Sequence, residues 1–516
     1  MILEEKDEAG RYRTLIKEEG SMTTKPFIAI KEIEGFDRHY QEGQRYQIIV
    51  KELTSRGEIR FIWTEKIGRN RWNSDMSDES SIVREAPTQA WWHPNRLFIG
   101  SKAIWAIMLV LMSISLWIVF SSTSTKAFGS WASGGGFFNM FGKHILSMGL
   151  AIGLCVAVSH IPLRFFRKYA RLFLFFSFIL LLYVLFRGQD LNDAKRQISL
   201  AGISFQPSEL ARLALINFVA TQLRFKDGRH ASARNFWVIF ITTGLFCLPI
   251  FLENISTALI LASVVFCISY MGGANRKMMR RLLLGGLGAL ALVIMLLVLV
   301  PSIREGGVTR LGTGYARIER FITQVGAPIN SDTYSDIDGK DLQIVSSQRA
   351  IANSHLLGVG FGKSEMRNLL PEPYSDFVFS ILVEEGGIAA AILVVLTYLA
   401  LFFIIGGIGR RTNSVYQTLL VQGIGLIITL QAFLHMLICV NLFPITGQNL
   451  PFISRGGSSY LVTGIYFGIL LAVSHDNKRK EEERIAKAGG LNQIVATEAI
   501  PEMPPIESEP IENVEP

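Results

Sequence analysis

The sequence predicts an all-α polytopic membrane protein with about ten transmembrane helices, and three observations carry that expectation. Of 516 residues, 49% are hydrophobic, and the mean hydropathy of +0.33 is one that soluble chains rarely reach. The apolar residues gather in blocks of about 20, each long enough to cross a hydrocarbon core as a helix. Charged residues fall between the blocks and in the two tails. The net charge of +8 therefore belongs to short loops. There it sets topology and lets the chain meet membrane lipid; no nucleic acid partner is expected.

Residues 1–95 read as a cytosolic N-terminal extension. Alternation in Tyr46–Val50 and Ile59–Trp63, punctuated by Gly43 and Gly57, predicts a small β-rich piece. It reads either as a regulatory module or as a weakly folded extension, and Met22 and Met76 are alternative starts. No cleavable signal peptide is expected, so the first span acts as its own insertion signal. Trp91-Trp92 before His93-Pro94 has the character of an interfacial anchor. The membrane domain occupies 96–475, with spans expected near 101–121, 143–161, 169–187, 207–223, 235–252, 256–274, 282–301, 377–405, 415–441 and 457–474. Every second connection is basic: Arg164, Arg167, Lys168 and Arg171; Arg224, Lys226, Arg229 and Arg234; Arg276, Lys277, Arg280 and Arg281; Arg410-Arg411; Lys478, Arg479 and Lys480. The positive-inside rule then puts these loops and both termini in the cytoplasm. The loops 122–142, 188–206, 302–376 and 442–456 face outward, with the large one between spans 7 and 8. Residues 476–516 form a charged cytosolic tail whose Glu- and Pro-rich end has a disordered composition.

Polar residues inside this frame mark the candidate site. The large loop carries Asp332, Asp336, Asp338 and Asp341 beside Lys340, Arg349 and a basic approach through Arg304, Arg310, Arg317 and Arg320. Such a loop is a catalytic or binding element or else a mobile spacer. Outside the cytoplasm there is no ATP, so chemistry there needs a substrate with its own leaving group. The fourth span opens Gln206-Pro207-Ser208-Glu209, and Arg212 stands three residues after Glu209 on the same helix face. That pair either locks helix packing or serves the site. Glu253-Asn254 interrupts the next hairpin. The eighth span begins at Asp376 and carries Glu384-Glu385, adjacent acids that point to an inward-facing polar cavity. Arg455, Gly456, Gly457 and Ser458 precede the tenth span, where bare backbone N–H groups favour an anion. Cys155, Cys247, Cys267 and Cys439 read as small buried hydrophobes, and the eight histidines show no metal-binding spacing.

Three motifs in this order resemble the SEDS family of bacterial cell-wall polymerases (FtsW, RodA and SpoVE): Phe205–Glu209, Leu370–Phe377 with Glu384-Glu385-Gly386, and Pro444–Ser459. The resemblance covers roughly 101–475. Its Leu-Pro-Glu-Pro-Tyr-Ser-Asp-Phe stretch is most like the division member, FtsW, and less like the elongation member, RodA. The register between Gln343 and Gly358-Val359-Gly360-Phe361-Gly362 puts Asp336 on the family's essential aspartate, with Asp338 as the alternative. Ile337 stands in place of the family proline, Glu253-Asn254 replaces a common Pro-Asp, and Arg455 replaces the usual Tyr.

The resemblance implies an inverting glycosyl transfer that polymerises lipid II into glycan strands at the outer face of the inner membrane. Asp336 would accept the proton of the attacking sugar hydroxyl. Lys195, Arg196, Lys340, Arg349, Arg455, Gly456, Gly457 and Ser458 are candidates to stabilise the undecaprenyl-pyrophosphate leaving group. Gln206, Pro207, Ser208, Glu209, Arg212, Asp376, Glu384 and Glu385 would support the site. No cofactor is required by the motifs; a divalent cation, Mg or Mn, is an alternative stabiliser of the leaving group. The implied partners are a class B penicillin-binding protein acting as transpeptidase, and other divisome proteins. A lipid II flippase, an elongation-type polymerase and a non-enzymatic scaffold are the competing readings.

Overall fold

The computed structural model describes residues 2–6, 12–18, 21–28, 46–53, 59–66 and 98–497, the last stretch without 131–135, 188, 192–193, 201–202, 224–232, 300–318, 320, 323–338 and 371–373. The chain forms two compact units, Met1–Pro94 and Asn95–Pro516. In the first, β1 (Ile2–Lys6), β2 (Tyr12–Glu18) and β3 (Ser21–Ile28) pair antiparallel in chain order. A hairpin joins β4 (Tyr46–Leu53) to β5 (Ile59–Lys66). These last two strands contain the two alternating runs, rich in the β-branched and aromatic residues that suit a pleated surface.

The second unit is helical. Among the described residues, long helices lie on the apolar blocks: α1 (Lys102–Ser130), α2 (Gly136–Ser159), α4 (Ala170–Arg187), α5 (Pro207–Gln222), α6 (Ala233–Glu253), α7 (Ile255–Met271), α8 (Arg276–Leu299), α10 (Val378–Arg410), α11 (Val415–Cys439) and α12 (Gly457–Thr497). Two shorter helices, α3 (Leu163–Lys168) and α9 (Gly339–Ala352), sit between them. Among the described residues, seven helices (α1, α2, α4, α6, α10, α11 and α12) are long and apolar enough to cross a membrane. The unit is not purely α, as the sequence led us to expect. The connection from α4 to α5 forms three short antiparallel strands, β6 (Gln189–Leu191), β7 (Ala194–Leu200) and β8 (Ile203–Phe205). Strand pairing satisfies the backbone of a polar connection that has no helical periodicity.

Burial explains why α5 can carry charged and amide side chains along its length. Thirteen of its sixteen residues are buried, Glu209, Arg212 and Asn217 among them. A helix enclosed on all sides by protein never meets lipid, so its polar groups need protein partners only. Pro207 occupies its first turn, where the missing N–H costs nothing. On the opposite flank, α12 lies tightly along α2. A Cβ on Gly464 would stand 2.5 Å from the Ala151 carbonyl oxygen, and one on Gly468 would stand 2.8 Å from that of Cys155. Small residues four apart let the two backbones approach.

Two ends of this unit can be told apart by their contacts. At one, Asn217 Nδ2 donates to Phe166 O (2.9 Å), Tyr416 Oη donates to Asn217 Oδ1 (2.7 Å) and Gln417 Nε2 donates to Asp476 Oδ2 (2.9 Å). This end joins α3, the start of α11 and the middle of α12, beside the basic residues Arg410-Arg411 and Lys478–Lys480. Past Asp476, α12 runs on without a break to Thr497 and does not stop near 474. Salt bridges at helical spacing, such as Lys478–Glu482 (3.6 Å), line that exposed extension.

Candidate active site

The opposite end is where the three separated motifs meet. The backbone N–H of Gln206 donates to Ser458 Oγ at 3.0 Å, tying the start of α5 to the start of α12. Gln206 Nε2 and Ser208 Oγ both donate to Glu253 Oε1, the latter at 3.0 Å, and so bring in the end of α6. Asn254 caps α7 by accepting from the N–H groups of Ser256 and Thr257, and its amide donates to Thr446 O at 2.8 Å. The Arg455 N–H donates to Tyr374 O at 2.8 Å, and the guanidinium lies 4.8 Å from the centre of the Tyr374 ring. Ser454 Oγ donates to Ser375 O at 2.8 Å, and Ser375 Oγ lies 3.2 Å from Asp376 Oδ1. Residues 206–209, 253–257, 374–376 and 446–458 are thus one cluster, although some 250 residues separate Gln206 from Ser458.

Beneath this cluster lies a buried ion pair. Arg212 Nη2 stands 3.5 Å from Glu209 Oε1, and Arg212 Nη1 donates to Gln431 Oε1 at 2.7 Å. Gln431 Nε2 donates onward to Asn449 O at 2.8 Å, and Ser458 Oγ to Glu209 Oε2 at 3.3 Å. A small cavity opens between Glu209, Arg212, Gln431, Ser459, Thr463 and Tyr466. Such a buried pair adds little net stability, but deleting one partner typically costs about 3–5 kcal/mol because the other charge is stranded.

Glu384 and Glu385 sit just before a break in their helix. α10 is broken at Gly387 (φ 71, ψ −172), and the segment after α9 fills the break. Val359 N–H donates to Glu384 O (2.9 Å), Gly360 N–H to Glu385 O (3.0 Å), Ile388 N–H to His355 O (3.2 Å) and Ala389 N–H to Leu356 O (3.1 Å). The two carboxylates hold the same segment and its neighbour. Ser364 Oγ donates to Glu384, and the Glu365 N–H does so at 3.2 Å. Ser121 Oγ donates to Glu385, Trp117 Nε1 donates at 3.2 Å, and Arg367 Nη1 stands 3.7 Å away. Adjacent acids that deep in a helix thus have hydroxyl, indole, guanidinium and main-chain N–H partners, a structural knot at the break.

α9 docks on this end as well. Ser347 Oγ donates to Cys439 O at 2.8 Å and lies 2.5 Å from Ser380 Oγ, in the first turn of α10. Lys340 belongs to the first turn of α9, and Arg349, half-buried, to its last. Asp336 and Asp338, three residues and one residue before Gly339, lie outside the described residues, as do Asp332 and the basic approach from Arg304 to Arg320. Lys195 and Arg196 sit on β7, a strand that packs against α5 and α6 and pairs with β8 just before Gln206. Gly456 and Gly457 form the junction into α12. Among the described residues, no three His, Cys, Asp or Glu side chains come together to hold a metal ion.

Several residues of this site carry no obvious motif signal. Gln431 and His435 are polar residues in the second half of α11, four residues apart on one face of an apolar span, and that spacing could have flagged them. His435 Nδ1 donates to Gln448 O at 2.6 Å. Arg367 had no signal beyond its charge. Tyr398 and Tyr460 read as ordinary apolar-span aromatics, yet both are buried with their hydroxyls on backbone carbonyls.

Comparison with known proteins bears on the same residues. A family model described as "Cell cycle protein", that of FtsW, RodA and SpoVE, matches residues 101–479. The probable peptidoglycan glycosyltransferase FtsW of Nitrosomonas europaea is 30% identical over 385 residues, 72% of this chain and 92% of the relative. That of Hydrogenovibrio crunogenus is 28% identical, over 77% of this chain and 96% of the relative. In solved structures, a chain described under "Structural coordination of polymerization and crosslinking by a peptidoglycan synthase complex" superposes with a TM-score of 0.56 at 21% identity, covering 73% of this chain and 98% of that one. The rod shape determining protein RodA of Thermus thermophilus does so with a TM-score of 0.52 at 19% identity, covering 73% and 97%.

Proposed function

Because this chain belongs to the FtsW/RodA/SpoVE family of cell cycle proteins, we propose that it is a peptidoglycan glycosyltransferase that polymerises lipid II at the outer face of the inner membrane, in cell division. The observation that carries this reading is the convergence of residues 206–209, 374–376 and 455–458 on one end of the bundle, with α9 docked beside them. The opposite end carries the basic connections, so the positive-inside rule turns the motif end outward and leaves both termini in the cytoplasm.

Asp336 acts as general base in this scheme. It takes the proton from the GlcNAc 4-hydroxyl as that oxygen attacks the anomeric carbon of MurNAc and undecaprenyl pyrophosphate departs with the bonding pair. Help of this kind is typically worth about 10²–10⁴-fold. Asp338 is the alternative base. Arg455 and the N–H groups that open α12 face the leaving pyrophosphate, with Lys340 and Arg349 on α9 as further cations. If Mg or Mn binds, the Asp332–Asp341 cluster would hold it, since its carboxylates are hard oxygen ligands, and the ion would neutralise pyrophosphate charge. The partner is a class B penicillin-binding protein that cross-links the strands.

Polymerisation of purified lipid II by the protein with its partner transpeptidase tests the proposal. Wild type makes glycan chains, Asp336→Ala makes none, and Asp338→Ala keeps activity. Full activity in both variants would remove the base from this loop. Loss confined to Asp338→Ala would move it by two residues.

A further inference from the structure

Between Pro444 and the start of α12 the chain dips among the helices, and its innermost turn is held in an unusual way. The carbonyls of Pro451, Phe452 and Ile453 each accept a hydroxyl from a different helix: Tyr398 of α10, Tyr460 of α12 (2.7 Å) and Ser115 of α1 (2.7 Å). The Ser115 and Tyr460 hydroxyls also touch, and His144 Nε2 of α2 stands 3.2 Å from Ser115 Oγ. All three hydroxyl residues are buried, and so are Phe452 and Ile453. Phe452 has φ +60°, a left-handed conformation that a bulky residue rarely adopts and that persists only where surroundings over-determine it. Two residues after the last tethered carbonyl comes Arg455, followed by Gly456: the cation and the helix opening that the proposed reaction uses.

Phe452 stands third in a four-residue turn that begins at Leu450, the position where a left-handed φ fits. The turn closes only through Ile453 and Ser454 N–H groups on Leu450 O, and through Ser454 Oγ accepting from the Leu450 N–H. We propose that Tyr398, Tyr460 and Ser115 are positioning residues: together they suspend the Pro451–Ile453 turn and thereby aim Arg455 and the first N–H groups of α12 at the leaving pyrophosphate. They touch no substrate. Tyr398 matters most, because it is the tether from α10 beyond the Gly387 break and so couples that half-helix to the site. The inference rests on the polymerase reading for its kinetic consequence, but not for its structural one.

Two measurements on the full-length protein with its partner test it. In lipid II polymerisation, Tyr398→Phe lowers kcat about tenfold, the equivalent of about 1.4 kcal/mol, and leaves KM within about twofold. In an Arg455→Gln background the same change adds a smaller factor, about threefold, since Arg455 carries part of the tether's effect and the N–H groups of α12 the rest. An undiminished tenfold loss in that background, or unchanged kinetics, overturns the proposal. The second measurement needs no activity. Amide hydrogen exchange over Phe452–Ser459 quickens about tenfold or more in Tyr398→Phe while α9 is unaffected. Unchanged exchange there sinks the tether even if wild type polymerises nothing, an outcome that would separately end the polymerase reading. Ser115→Ala, which removes one tether with little change in volume, gives the same exchange pattern and serves if Tyr398→Phe does not fold.

Discussion

The His355–Leu370 segment and the Pro444–Gly456 segment both carry irregular backbone among the helices, and they are held by opposite means. The first is knitted to α10 by main chain: four backbone hydrogen bonds join residues 355–360 to residues 384–389 across the break at Gly387. The second is suspended by side chains. Carbonyls at Thr446, Gln448, Asn449, Pro451, Phe452 and Ile453 accept from Asn254, His435, Gln431, Tyr398, Tyr460 and Ser115. Irregular backbone packed among helices needs partners for its N–H and C=O groups, and these two segments find them in different ways. A main-chain knot depends on space for two backbones. A suspended segment depends on many single groups, each of which can be removed while the rest hold. Damage to the knot should therefore abolish folding, and damage to the suspended segment should change the site first.

The largest effect belongs to the knot. A Cβ on Gly358 would lie 2.3 Å from Glu385 O, and one on Gly387 2.4 Å from Gly358 N; both glycines have φ +71°. Neither contact can relax by moving a flexible side chain, because both neighbours are backbone. Gly358→Ala and Gly387→Ala are each expected to cost more than about 4 kcal/mol, read as loss of the monodisperse peak in detergent chromatography. Normal accumulation of either variant would show that the two segments are held with similar slack.

Next comes Glu385→Ala. It strands Arg367, whose side chain is only 10% exposed, and is expected to cost about 3 kcal/mol, seen as a lowered Tm. Replacing both partners, Glu385→Leu with Arg367→Met, should recover more than half of that loss, because no buried charge then remains. If the double variant is worse than the single one, the carboxylate's bonds to Ser121 and Trp117 hold the knot more than the ion pair does.

The two regions also differ in how far the sequence disclosed them. Among the described residues the apolar blocks are helical, seven of them long and apolar enough to span, because hydrocarbon length and hydropathy act locally, within about 20 residues. Gly358-Val359-Gly360-Phe361-Gly362 and Gly386-Gly387 announced two unusual backbones, but not that each fills the other. Glu384-Glu385 was visible as an anomaly, but its partners were not, since a buried acid pair looks the same in sequence whether it faces water or a serine and an arginine. Gln206, Glu209, Arg455 and Ser458 were visible as motifs. Their meeting, and the roles of Gln431, Tyr398 and Tyr460, depend on how helices pack around α5, which no local pattern encodes. β6 and β8 escaped notice because three-residue strands are too short to show alternation, and the seven-residue β7 is charged or polar over most of its length.

A smaller effect tests the suspended segment on its α7 side. Asn254→Ala removes both the cap of α7 and the donor to Thr446 O. The expected cost is about 1–2 kcal/mol. Tm should fall modestly, and polymerisation should fall by a larger factor than stability alone explains. An equal fall in Tm to that of Glu385→Ala would mean that this loop is knotted as firmly as the other.

The smallest expected change is Arg212→Lys, and it discriminates best between a packing role and a site role for the buried pair. The guanidinium reaches two acceptors at once, Glu209 at 3.5 Å and Gln431 at 2.7 Å. A lysine ammonium is a single point on a flexible stem and can keep the charge pair while losing Gln431. Gln431 is the group that holds Asn449 O, so its release loosens the suspended segment without stranding a charge. The expected stability loss is about 1 kcal/mol, the value of one buried hydrogen bond. If the pair only locks helices, polymerisation by Arg212→Lys tracks that small loss and Gln431→Leu adds a further decrement to it. If the pair serves the site through Gln431 and Asn449, the two variants lose the same activity and combining them costs nothing more, because both cut one chain of hydrogen bonds from Glu209 to the turn.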